Sequence, residues 1–134
     1  MNRKGVLAGI LFCLVVALYL PSLRNDFVYD DQVLILKQAR PERIEDYTRF
    51  LCERHFPKLP YYRPIPRLTM LVQKALHGDW PVPYHLFNAV LGGLVAVLAF
   101  VVLEHPAFRI RRPVAFLAAL IFGVHPMASS CVYP

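Results

Sequence analysis

Three stretches of this chain are almost free of charge, and the polar residues gather between them. Residues 5–20, GVLAGILFCLVVALYL, carry no charged side chain and stand between Arg3–Lys4 and Pro21. Continued to Leu23, a helix here reaches roughly 28 Å at 1.5 Å per residue, close to a hydrocarbon core of about 30 Å. A second run, LFNAVLGGLVAVLAFVVL from Leu86 to Leu103, has Asn88 as its one polar side chain. The third, VAFLAALIFGV from Val114 to Val124, is short at roughly 17 Å unless the helix continues through HPMASSCVYP. Either His125 caps a short helix or it lies on a continuing one. The pattern predicts an all-α membrane protein with three transmembrane helices, over about 5–23, 86–103 and 114–132, in a single membrane domain. A cleaved signal peptide would share the basic start and apolar centre of the first run. The following LYLPSLRND offers bulky Leu and Tyr where a small-x-small cleavage site is needed, so the run reads as an uncleaved anchor.

Between the first two runs the apolar period changes. PERIEDYTRFLCERHF opens with Pro41, which suits a first helical position, and spaces Ile44, Tyr47 and Leu51 as one stripe, predicting a short amphipathic helix. FPKLPYYRPIP, with Pro57, Pro60, Pro64 and Pro66, predicts an extended or turned elbow. A helical period resumes in LTMLVQKAL at Leu68, Leu71, Val72, Ala75 and Leu76, with Arg67, Gln73 and Lys74 on other faces. Two short helices of this kind suit a membrane interface.

Composition agrees with a membrane: 57% of the residues are apolar and the mean hydropathy is +0.43, above what a soluble domain carries. The net charge of +6 is spread among acids and prolines rather than packed into one basic face, so it points to topology and not to nucleic acid. Cys13, Cys52 and Cys131 lack metal-site spacing and do not form a disulfide framework. Lys and Arg in the short flanks, Arg3 and Lys4 at the amino terminus and Arg109, Arg111 and Arg112 in the 104–113 loop, put both in the cytoplasm. The large loop over about 24–84 then falls on the exported side, with the segment after His125. No Asn-x-Ser/Thr acceptor occurs, which favours a bacterial inner membrane over that of the endoplasmic reticulum.

Candidate chemistry lies on that exported side. In NDFVYDDQVLI the acids Asp30 and Asp31 are adjacent, and on an extended segment they point to different sides, so one can face a substrate while the other is anchored. Such an acid can act as general base or help to hold a divalent cation, Mg or Mn, beside phosphate oxygens. A solvated surface pair is the plain alternative. Tyr61, Tyr62 and Arg63 set a guanidinium beside two aromatics before Pro64, where it can clamp a phosphate or snorkel from an aromatic belt. His85 and Asn88 stand three apart and share a helical face, either as helix-entry caps or as a polar pair in a cavity. His125, before Pro126, fits a structural or a substrate-binding role. Gly92 and Gly93 let a neighbouring helix approach closely.

NDFVYDD, YYRPIPRLTM, YHLFNAVLGGLVAVL and AALIFGVHPMASSCVYP, in this order, resemble the amino-terminal part of membrane glycosyltransferases of the protein O-mannosyltransferase type, the transmembrane and tetratricopeptide-repeat proteins and their bacterial relatives. The resemblance implies a partial GT-C fold, a polyprenyl-phosphate sugar as donor, and transfer to an acceptor protein or glycan on the exported side. It implies an active-site acid at Asp30 or Asp31, with Arg63 matching the need for positive charge at the departing phosphate and Tyr62, His85, Asn88 and His125 as sugar- or phosphate-binding candidates. Partners are then the lipid-linked sugar, the acceptor and membrane lipid, with no nucleic acid. Such enzymes have more spans than three and here no tetratricopeptide pattern appears, so the chain reads as a piece of a larger enzyme, inactive alone. The alternative is a noncatalytic membrane subunit or adaptor derived from the same fold, packing through Gly92 and Gly93 against a partner.

Overall fold

The computed structural model describes residues 3–27, 31, 35–37, 40–52 and 63–125. Its regular elements are helices: α1 (Arg3–Tyr19), α2 (Ile44–Cys52), α3 (Pro64–His77), α4 (Pro81–Leu103) and α5 (Arg112–Val124), with short 3-10 turns at Leu20–Arg24 and Pro106–Phe108. No strand occurs among the described residues. The chain divides into two compact units, Met1–Asn25 with His85–Pro134, and Asp26–Tyr84.

In the first unit α1, α4 and α5 meet through small residues. Leu11, Val15 and Tyr19 form the buried stripe of α1, Ala89, Ala96 and Phe100 that of α4, and Ala115, Ala119 and Gly123 that of α5. A Cβ on Gly93 would stand 2.8 Å from Phe12 Cδ2 and 2.9 Å from Val16 Cγ2, and one on Gly123 would stand 2.8 Å from Val15 Cγ2. Those distances are too short for a side chain, so the two glycines are what allow the helices to approach, as small residues do in lipid. Larger side chains fill the remaining space, with Phe100 edge-on to Phe116 at 6.1 Å.

The outward faces are as apolar as the inward ones. Ile10, Leu14, Leu18, Leu94, Leu98 and Ile121 are all exposed, the surface expected of helices whose solvent is hydrocarbon. Two segments, Arg3–Arg24 and Pro81–Leu103, are long and apolar enough to cross a membrane. Helix α5 has 13 residues and stops at Val124, where His125 turns extended with φ −64° and ψ 139°. His125 therefore ends the helix, while residues 126–132 of the expected third span lie outside the described residues.

Helix α4 begins five residues before the apolar run that announced it. Pro81 and Pro83 occupy its first turn, where an N–H has no intrahelical acceptor and the proline ring costs nothing. His85 and Asn88 consequently stand inside the helix and are not entry caps. At the end of α1, Pro21 leads into the 3-10 turn, and Ser22 Oγ donates to the Tyr19 carbonyl at 2.7 Å.

The second unit packs α2 against α3. Its core joins Ile35 and Tyr84, with Phe27 and Met70 against them; the Phe27 and Tyr84 rings meet edge to face at 5.2 Å. Tyr84 donates its hydroxyl to the Gly78 carbonyl at 2.9 Å. Gly78 has φ +64° and ψ −127° and its N–H closes α3 on the Lys74 carbonyl at 3.0 Å, a positive-φ backbone that glycine accepts without strain.

Two expectations for this unit need correction. Helix α2 starts at Ile44 rather than at Pro41, because Asp46 reaches back and accepts from the N–H groups of Glu42 and Arg43, both at 3.0 Å, the acidic half of a capping box. Ile44, at the head of the expected apolar stripe, is exposed. Helix α3 starts at Pro64, with Pro64 and Pro66 in its first turn, so the proline-rich stretch runs into the helix. Arg67, Leu71 and Lys74 are buried, while Ile65, Val72 and Leu76 are exposed.

Candidate functional site

Asp31 is half-buried and lies between Phe27 and Ile35, which both pack in the core with Tyr84. Asp30, the other acid of the pair, and Tyr62 lie outside the described residues.

Arg63 is exposed and immediately precedes α3, its carbonyl accepting the Arg67 N–H at 3.3 Å. Proline at two positions of the first turn removes two N–H donors that a helix start would otherwise offer to an anion. The guanidinium of Arg63, expected from the sequence to meet a phosphate, is a planar, permanently charged donor group.

One turn further along α3 stands the buried Arg67, and two turns beyond that the buried Lys74. Lys74 pairs with Asp79, whose side chain is 59% exposed, so the pair has one foot in the unit and one in solvent. Arg40 holds the other end of α3 by donating from Nε to the Ala75 carbonyl at 3.0 Å, a cation at a helix C-terminus where the dipole favours it. The sequence pattern set Arg67 and Lys74 on faces other than the apolar stripe. Their spacing with Leu71, four residues and then three, was a legible single face, but hydropathy gave no reason to turn that face inward.

In the helical unit, His85 is 1% exposed and continues the buried stripe of α4, four residues before Ala89. Asn88 is half-buried on the adjoining side. His125 is exposed, two residues past Gly123, whose carbonyl accepts the Tyr19 hydroxyl at 2.8 Å. Gly93 meets Phe12 and Val16 of this same chain, so the close approach that it was expected to offer an outside partner is already taken by α1.

Two carboxyls outside the apolar segments, Glu104 and Asp46, are held below their ordinary range. Glu104 receives Arg112 Nε and lies 3.2 Å from Lys4 Nζ. The Arg112 hydrogen bond, with that of Lys4 behind it, holds the carboxyl below its ordinary range against the opposing effect of burial. Asp46 is likewise held low, chiefly by the backbone N–H of Arg43 and then that of Glu42.

Among the described residues no group of three or more His, Cys, Asp and Glu side chains comes together to hold a metal ion. A divalent cation expected at Asp30 and Asp31 would find one described carboxylate there, that of Asp31.

No protein-family model matches the chain, and no solved structure matches it. Curated proteins do. The chain is 30% identical over 121 residues to the human protein O-mannosyl-transferase TMTC1, a match covering 83% of this chain and 13% of that protein. With the mouse protein O-mannosyl-transferase TMTC3 it is 31% identical over 133 residues, 92% of this chain and 14% of the relative. With the Caenorhabditis elegans protein O-mannosyl-transferase F38B6.6 it is 28% identical over 132 residues, or 92% and 19%. The chain thus spans less than a fifth of the length of these relatives. Over most of its own length, this chain is a sequence relative of the protein O-mannosyl-transferases.

Proposed function

We propose that this chain is part of a membrane glycosyltransferase that moves a sugar, mannose by the names of its relatives, from a polyprenyl-phosphate donor to a protein hydroxyl on the exported face. The observation carrying this reading is the match to protein O-mannosyl-transferases along 83–92% of the chain. Two helices with the length and composition to cross a membrane support it. The same reading makes Arg3–Lys4 and the 104–113 loop cytoplasmic and Asp26–Tyr84 exported or lumenal.

The transfer needs three things of the protein. A carboxylate, Asp30 or Asp31, takes the proton of the acceptor hydroxyl. The freed oxygen bonds to the anomeric carbon as the bond from that carbon to the phosphate oxygen breaks, with inversion, and the lipid phosphate leaves with the electron pair. Positive charge must meet the phosphate as its charge grows, and the exposed Arg63 stands immediately before α3. Asp31 is half-buried, and Phe27 and Ile35, four residues to either side of it in sequence, both pack with Tyr84, which supports its choice as the positioned acid. The outward apolar face of α3, with Ile65, Val72 and Leu76, suits a helix lying on a membrane surface beside a donor that is half lipid.

The test is transfer of labelled mannose from polyprenyl-phosphate mannose to a Ser/Thr peptide by membranes containing the full-length protein. Asp30→Asn or Asp31→Asn is expected to reduce it by about 10²- to 10⁴-fold, the range of a lost general base. Undiminished transfer in both variants overturns the assignment.

A further inference from the structure

The helical unit distributes its charge unevenly. Residues 1–25 and 85–134 hold one acidic side chain, Glu104, against Arg3, Lys4, Arg24, Arg109, Arg111 and Arg112. All the basic residues but Arg24 lie at one end, because Glu104 binds Lys4 and Arg112 and so joins the start of α1, the end of α4 and the start of α5. The single carboxylate is thereby used up. Among the described residues, no acid lies within ion-pair distance of Arg3, Arg109 or Arg111.

Between the starts of α1 and α5 runs an open groove of about 490 Å³, lined by Arg3, Leu7, Arg112, Pro113, Phe116 and Leu117. Arg3 and Arg112 are the first residues of their helices, while Leu7, Phe116 and Leu117 stand one turn further in. Positive charge at the rim and an apolar wall behind it follow the order in which a phospholipid presents its phosphate and its acyl chain. A water-soluble phosphate would use the rim alone and leave the wall uncovered.

We propose that this groove binds an anionic phospholipid, its phosphate between the guanidinium groups of Arg3 and Arg112 and an acyl chain along Leu7, Phe116 and Leu117. The charge complementarity is direct, since gathered cations repel one another until anions join them. Basic residues at the cytoplasmic end of membrane helices meet the leaflet that carries anionic lipid. The inference rests on reading α1 and α4 as membrane helices and is independent of sugar transfer.

The test uses the 134-residue chain in detergent micelles, titrated with spin-labelled phosphatidylglycerol or phosphatidylcholine of equal chain length and read by the motionally restricted component of the spectrum. Phosphatidylglycerol is expected to bind several-fold more tightly. Arg3→Gln should weaken it about fivefold, the effect of one basic residue at an anionic surface. Arg24→Gln, at the other end of the unit, should change nothing. Leu117→Glu keeps the rim and makes the wall anionic, and should abolish binding of phosphatidylglycerol. Soluble glycerol phosphate should compete only at far higher concentration than the lipid. Equal binding of both lipids overturns the proposal. So does an equal loss in Arg24→Gln, or displacement by glycerol phosphate at the lipid's own concentration. Arg3 is exposed and makes no ion pair among the described residues, so its replacement tests the groove without disturbing the fold.

Discussion

The hydroxyl of Tyr19 donates to the carbonyl of Gly123 at 2.8 Å, joining residues 104 apart in sequence at the ends of α1 and α5. Tyr19 is 2% exposed, so the bond is made away from water, where a lost partner leaves a polar group unpaired. Tyr19→Phe keeps the ring and removes only the donor. It is expected to lower stability by about 1 kcal/mol, the usual net worth of such a bond, measured by thermal unfolding in detergent.

Gly123 contributes to that junction in a second way, by having no side chain. A Cβ there would meet Val15 Cγ2 at 2.8 Å and Ala96 Cβ at 3.1 Å. Gly123→Val adds two further carbons to the clash and should cost more than Tyr19→Phe, roughly 1–3 kcal/mol for an overpacked site. By contrast, Gly9 has nothing within 4 Å of its Cβ position, so Gly9→Ala should leave unfolding unchanged or slightly raise its midpoint. Equal destabilisation by both changes would mean that helix contacts do not decide the outcome.

The carboxyl of Glu104 is held below its ordinary value by Arg112 and Lys4, and this fixes the sign of a pH effect. A depressed folded-state pKa means that the ion pairs stabilise the protein above the unfolded carboxyl pKa. That contribution disappears as the pH falls through the lower, folded value. The unfolding midpoint should therefore drop below about pH 4.5, the ordinary value for such a group. Glu104→Gln should lie lower at neutral pH and show less of this acid-dependent loss. Identical pH curves for the two proteins would contradict the pairing.

Sequence was most informative where a single environment surrounds the helix. The uncharged runs beginning at Gly5 and ending at Leu103 mark α1 and α4 because in hydrocarbon every face must be apolar, so hydropathy alone locates them. The start of α4 was missed by a turn and a half because Pro81 and Pro83 look like helix breakers although they fit a first turn. For α3, two sides compete and hydropathy does not choose between them: Arg67 and Lys74 go in, Ile65 and Leu76 stay out. Which face turns inward depends on contacts such as Lys74 with Asp79 and Met70 with the Ile35–Tyr84 core, and no periodicity contains that information. For the candidate site, residue types and order pointed to Asp31, Arg63 and His85. The burial of His85 within the α4 stripe came only from the helix starting earlier than its apolar run.

The pair between Lys74 and Asp79 supplies a prediction in which deleting one partner is worse than deleting the other. Lys74 has a side chain 7% exposed, whereas that of Asp79 is 59% exposed. Asp79→Asn leaves an ammonium group in the unit without its counter-charge, while Asp79 itself returns easily to water when Lys74 is replaced. Removing one partner of a fully buried pair costs about 3–5 kcal/mol; with Asp79 so open, screening reduces this to roughly 1–2 kcal/mol. Lys74→Met removes the charge and keeps most of the volume, and should be nearly neutral. Hydrogen exchange of the α3 amides is the measurement, because local opening of this unit reports the loss even when global unfolding is governed by the other helices. Faster exchange in Lys74→Met than in Asp79→Asn would show that the lysine, and not its buried charge, is what α3 depends on.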